Sequence, residues 1–290
     1  MNTDEDIIKL GNVSIEVVTP YIEKYLGSVP EYRVEFRDEQ KGGRSDVDFN
    51  IEGLGLFVFF YEGIKQRLLV PIQNKDMRSY TVANWVNGTV HELIHLHQEP
   101  YLKNIYKDEA KRNDYFEPYH YWLDGFAEHL AWKVSASLYE DAQEEDDYWD
   151  NRSSLEDVYE AIKLRRYKTG IKQRIVQLAV WYYFLLRNRG LEKYFELPDF
   201  LPQEIKDETW KSIKEEKLFF EIAPFAKERF GMILNRDKET TDLWFPYAIG
   251  FICIGRLVKN GATYSELLTN PKDNKELLEM AGIPESKDED

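Results

Sequence analysis

Residues 79 to 98 read Ser-Tyr-Thr-Val-Ala-Asn-Trp-Val-Asn-Gly-Thr-Val-His-Glu-Leu-Ile-His-Leu-His-Gln. Ser79 is of the N-cap type, and nothing breaks the pattern before Pro100, so the stretch is predicted as one long helix. At about 100° per residue, Asn84, Asn87, Gly88, His91, Glu92, His95 and Gln98 share one strip. Trp85, Val86, Val90, Leu93, Ile94 and Leu96 cover the remaining surface. A helix apolar over most of its circumference is buried. Its polar strip must then face a cavity, a metal or partner side chains, because a buried polar group without a partner is costly.

Within that helix, His91-Glu92-Leu93-Ile94-His95 carries the chemistry. Histidines four apart stack on one helix face, so both imidazoles can converge on a single Zn²⁺. Glu92 points along the same cleft, where its carboxylate can take a proton from the attacking water. A catalytic zinc normally has three protein ligands, so one more is expected elsewhere in the chain. The metzincin pattern, with a glycine and then a histidine soon after the second ligand, does not apply: Gln98 and Tyr101 stand at those places.

Downstream, Trp122-Leu123-Asp124-Gly125-Phe126-Ala127-Glu128-His129 lies in a second helical pattern over about 119 to 139. This segment resembles the glutamate helix of the gluzincins, the zinc peptidases that include thermolysin and the aminopeptidase-N-like enzymes. The latter carry Trp-Leu-Asn-Glu-Gly-Phe-Ala, with the third zinc ligand immediately before the glycine. The resemblance implies Asp124 as that ligand and Glu128, one turn later, as the carboxylate that orients a zinc histidine. The chain departs from the family in having Asp for Glu, one methylene shorter, and in lacking the preceding Asn. Glu128 as the ligand is therefore the alternative. A looser resemblance, over Trp244 to Phe251, is to the Tyr-x-x-Gly helix of small gluzincins. It implies that the Tyr247 hydroxyl stabilises the oxyanion of peptide hydrolysis.

All five histidines fall between 91 and 129. His97 projects about 220° from the midpoint of His91 and His95, into the apolar sector, and reads as a core histidine. His129 points away from Asp124 in the same manner. His120 shares the Asp124 face one turn earlier, where it can line the cleft or substitute as a ligand.

Composition bounds the rest. A chain of 290 residues, 43% hydrophobic, can build a substantial core. Its single cysteine, Cys253, excludes an internal disulfide and a cysteine-based zinc site, and sits in an apolar run as a structural thiol. A net charge of −15 argues against nucleic-acid binding. The acidic run from Glu140 to Asp147 reads as a solvated loop. The N-terminus lacks signal-peptide character, and the apolar runs at 175–186 and 245–254 are shorter than the roughly 20 residues of a membrane span. A cytoplasmic protein with no membrane partner is the expectation.

Helices are expected over 4–26, 153–168, 171–188, 204–218, 239–259 and 272–281, and strands over 32–37, 54–61 and 67–72. The expected fold is α+β: a small N-terminal mixed sheet followed by a mainly helical, zincin-like catalytic domain. Residues 1–78 would form the N-terminal lobe, with 54–61 or 67–72 as an edge strand that pairs with substrate. Residues 79–290 would form the helical lobe carrying the metal. The function so implied is zinc-dependent peptide hydrolysis: His91, His95 and Asp124 hold Zn²⁺, Glu92 is the general base, and a peptide or protein is the substrate. Two alternatives remain at this stage. One is a weakly active or silent zincin scaffold that binds or regulates. The other is a di-iron carboxylate oxidase, because Glu92-x-x-His95 and Glu117-x-x-His120 share one pattern.

Overall fold

The structure is a computed structural model that describes residues 4–28, 33–37, 60–62, 67–71, 82–105, 117–144, 155–220 and 224–285. Helix dominates the described residues, and this overturns the α+β expectation. Three short strands do occur: β1 (Arg33–Arg37), β2 (Phe60–Glu62) and β3 (Arg67–Pro71). Among the described residues they form one three-stranded patch rather than a layer of the fold. β3 pairs parallel with β1 and antiparallel with β2, so it is the middle strand. With both of its edges taken, 67–71 is not available for the substrate pairing suggested for it. The physical reason for the overestimate is length: alternating apolar residues mark strands of three to five residues as readily as the strands of a real layer. The boundary expected at 78/79, the Ser79 cap and most of 54–61 lie outside the described residues.

The chain divides into two compact units. The first comprises residues 1–96, 134–174 and 222–227. It holds α1 (Asp4–Leu26), the start of α2 (Val82–Ile105), the end of α3 (His120–Asp141), α4 (Leu155–Lys163) and the first turns of α5 (Lys168–Asn188). α1 buries Leu10, Val18 and Ile22, a helical spacing, and Gly27 ends it at φ 77°. Tyr21 Oη donates to Asp141 Oδ2 at 2.6 Å. Burial and that carboxylate together hold the phenol up at about 12. Ser135 Oγ donates to Asn87 Oδ1 at 2.8 Å, a first tie between α3 and α2.

The second unit comprises residues 97–133, 175–221 and 228–290. Besides parts of α2, α3 and α5, it contains α6 (Gln203–Glu215), most of α7 (Pro224–Leu234), α8 (Lys238–Lys259), α9 (Tyr264–Thr269) and α10 (Asn274–Ala281). Its centre is aromatic: Trp132 stacks on Tyr182, ring centroids 5.9 Å apart, and tilts against Phe251 at 4.4 Å. The indole of Trp122 donates to Leu267 O at 2.8 Å, which anchors α9 to α3. α9 starts with a reciprocal capping box between Thr263 and Glu266, which satisfies two backbone donors of its first turn. α8 is, by length and composition, apolar enough to cross a membrane, and 61% of that stretch is buried inside the protein.

α3 and α8 cross backbone to backbone. A Cβ on Gly125 would fall 2.1 Å from the Gly250 carbonyl carbon, and one on Gly250 would fall 2.2 Å from Tyr121 O. Neither position can carry a side chain unless the helices part. Gly125→Ala should therefore destabilise the protein by about 1–3 kcal/mol or more, the usual scale of overpacking. Gly231→Ala in α7, where a Cβ meets nothing within 4 Å, should be neutral or stabilising by up to about 1 kcal/mol. Thermal melts of the two variants check this, and equal midpoints would contradict the crossing.

Candidate metal centre

α2 is buried as its pattern requires. Val86, Val90, Leu93, Ile94 and Leu96 are all covered, and so are His91, Glu92, His95, Gln98 and Glu99 on its polar strip. The side chains of Asn84 and Trp85 lie outside the described residues. The helix continues beyond its expected end, through Pro100 to Ile105. Pro100 has no N–H for the Leu96 carbonyl, so one rung of the ladder is lost and the remaining turns carry the helix on. α3 runs antiparallel to α2. The Asn87–Ser135 bond ties one stretch, and the Gln98 amide, donating to Leu123 O at 3.0 Å, ties the other. His91 and His95 lie between these ties on α2, and Glu128 lies between them on α3, with Asp124 next to the second.

The His91 and His95 rings meet edge to face with centroids 4.6 Å apart, and their Nε2 atoms stand 2.9 Å apart. His91, His95 and Asp124 form a buried group whose ligand atoms all lie within 4.8 Å of one another. Their exposures are 5%, 6% and 5%. This His-His-Asp group could hold a metal ion. Across a tetrahedral zinc with Zn–N near 2.0–2.1 Å, two nitrogens are about 3.3 Å apart. The imidazole pair therefore fits after opening by a few tenths of an ångström. Two neutral nitrogens and one carboxylate also match the donor types of a catalytic zinc site.

The carboxylate choice is visible in the same geometry. Asp124, not Glu128, joins the two histidines in this group. Glu128 is buried, and its Oε2 accepts from the Trp132 indole at 3.2 Å. His120, the remaining histidine of the Asp124 face, has Nε2 3.4 Å from Asp124 Oδ2, and its side chain is 42% exposed. It stands at the start of α3, one turn before Asp124. The preceding 3₁₀ turn, Glu117–Tyr119, contains Pro118, so the second Glu-x-x-His is split between a turn and a helix start.

The other histidines are core residues. His129 is fully buried, with Nδ1 2.9 Å from Tyr264 Oη. Burial, aided by the charge of Lys133, pushes its pKa down to about 3. Burial likewise lowers His97 to about 4, and its Nε2 has no hydrogen-bond partner. Both rings are neutral at ordinary pH.

Tyr247 lies on α8 one turn before Gly250, half-buried, its ring 5.3 Å from Trp244. The Gly250–Gly125 crossing places that turn of α8 against the stretch of α3 next to Asp124. Two features were not anticipated. Gly125 and Gly250 set the height of Asp124's backbone, and the cue for them was the glycine within each of two apolar helices. Glu99 is a buried carboxylate one turn past His95, and its spacing placed it on the strip. No family model, curated protein or solved structure matches this chain.

Metal titration distinguishes the two carboxylates. Asp124→Ala should remove a ligand and abolish tight binding. Glu128→Ala should weaken binding by roughly 10–100-fold, the scale for a residue acting through a ligand. The reverse order would make Glu128 the ligand.

Proposed function

We propose that this chain is a zinc-dependent metallopeptidase. The observation that supports the reading most is the buried group of His91, His95 and Asp124 on two apolar helices, with Glu92 on the same helix as the histidines. A protein has little reason to bury two imidazoles and a carboxylate together unless something repays their lost hydration. Zinc is the ion that suits two imidazoles, one carboxylate and an open fourth position.

A zinc ion held by these three side chains would supply Lewis acidity toward the scissile carbonyl and make a water nucleophilic near neutral pH. The side chains do the rest. His91 and His95 offer neutral Nε2 atoms, and Asp124 brings the one negative charge. Glu92 accepts the proton of the attacking water at its carboxylate and returns it to the leaving nitrogen. Tyr247 donates its hydroxyl hydrogen to the carbonyl oxygen as that oxygen becomes negative. The second reading is a zincin-type scaffold that binds peptide without turnover. The aspartate at the third position, with His120 against its carboxylate, favours it to the extent that the shorter ligand is already engaged.

Glu92→Gln separates the two readings. In a peptidase it should keep the metal, keep the fold and lower peptide-library turnover by about 10²–10⁴-fold. Wild-type protein that is fully zinc-loaded yet cleaves no peptide would leave only the binding scaffold.

A further inference from the structure

In the second unit, α3 and α8 and the stretch 194–200 enclose a cavity of about 490 Å³. Its lining includes the buried Phe251, Ile252 and neutral His129, and the half-buried Phe200. Lys133 stands opposite Asp124 on α3: nine residues at about 100° each amount to two and a half turns. The cavity therefore lies on the side of the helix that faces away from the metal ligand, and it is a separate site.

Its charges differ in exposure. Glu196 and Asp199 are exposed, and Glu196 is paired at the rim with Lys259, whose side chain is itself 59% exposed. The half-buried cations are Lys133, with Nζ 4.6 Å from the centre of the Phe200 ring, and Arg256. The Arg256 guanidinium lies 5.6 Å from the Tyr194 ring centre and is fixed by its Nε bond to Ala281 O. The less exposed part of the lining thus combines apolar and aromatic side chains with two half-buried positive groups. Its volume falls in the range of small-molecule sites, about 300–1,000 Å³.

We propose that this cavity is a binding site for a small organic acid: a carboxylate facing Lys133 and Arg256, and an aromatic or branched apolar body on Phe251, Ile252 and Phe200. The charges favour an acid over an amine, because the half-buried charges of the lining are cations and its carboxylates are exposed to water.

Calorimetric titration of the full chain with 3-phenylpropanoate, 3-phenylpropanamide and 3-phenylpropylamine tests this, in chelator and in the zinc-loaded protein. The acid should bind at least about tenfold more tightly than the amide, since a hydrogen bond to a charged group is worth more than a neutral one. The amine should bind least. Lys133→Met should remove the preference of acid over amide. Val258→Trp, which fills the cavity from its wall and leaves Lys133 in place, should remove binding of both, with circular dichroism confirming that each variant is folded. Equal binding of acid and amide, a preference for the amine, an acid preference that survives Lys133→Met, binding seen only in the zinc-loaded protein, or no binding at millimolar ligand would each overturn the assignment.

Discussion

Two imidazoles and a carboxylate, each about 5% exposed, sit together on helices that are otherwise apolar. Everything else about α2 and α3 follows from having to bury these groups and still satisfy them. The hydration they lose has to be replaced by hydrogen bonds or by a metal. Flanking polar residues are used up in fastening the helices: Asn87 accepts from Ser135 and Gln98 donates to Leu123 O. The side chains spent in this way flank the two histidines on α2 and the carboxylate on α3. That is the usual relation between a metal site and the residues behind its ligands.

The second requirement is close approach. Asp124 has a short side chain, so the reach of its carboxylate depends on where its backbone lies. Gly125, its neighbour, lies against Gly250 with no room for a Cβ on either. α8 therefore sets the position of α3 through backbone contact, which cannot be adjusted by changing a rotamer. The Tyr-x-x-Gly spacing of α8 has a structural meaning here apart from any catalytic one: the glycine makes the crossing, and the tyrosine is carried to the same end of α3.

Much of this was legible in the sequence, and for definite reasons. The long helices of α1, α2, α3, α5 and α8 repeat an apolar face over many turns, and such patterns identify themselves. The polar strip on α2 was readable because six large apolar residues left it no exposed side. What was misread was short. Strands of three to five residues suggested a sheet layer in a protein that is mostly helix. α7 and α9 were missed although each carries a start signal: Pro224 at the first helical position of one, and the Thr263–Glu266 box of the other. The extension of α2 past Pro100 was not readable, because proline's local cost is outweighed there by a helix already nucleated and buried. The glycine crossing needed the third dimension, since nothing in 125 or 250 alone names its partner.

The most direct test of the account is zinc K-edge absorption on protein loaded with one equivalent of the metal. A site made by His91, His95 and Asp124 predicts a four-coordinate first shell of nitrogen and oxygen at about 2.0–2.1 Å, with the outer-shell scattering of two imidazoles. The same spectrum from an Asp124→Ala sample should lose that first shell. A six-oxygen shell, a single imidazole, or an unchanged spectrum in the variant would contradict it.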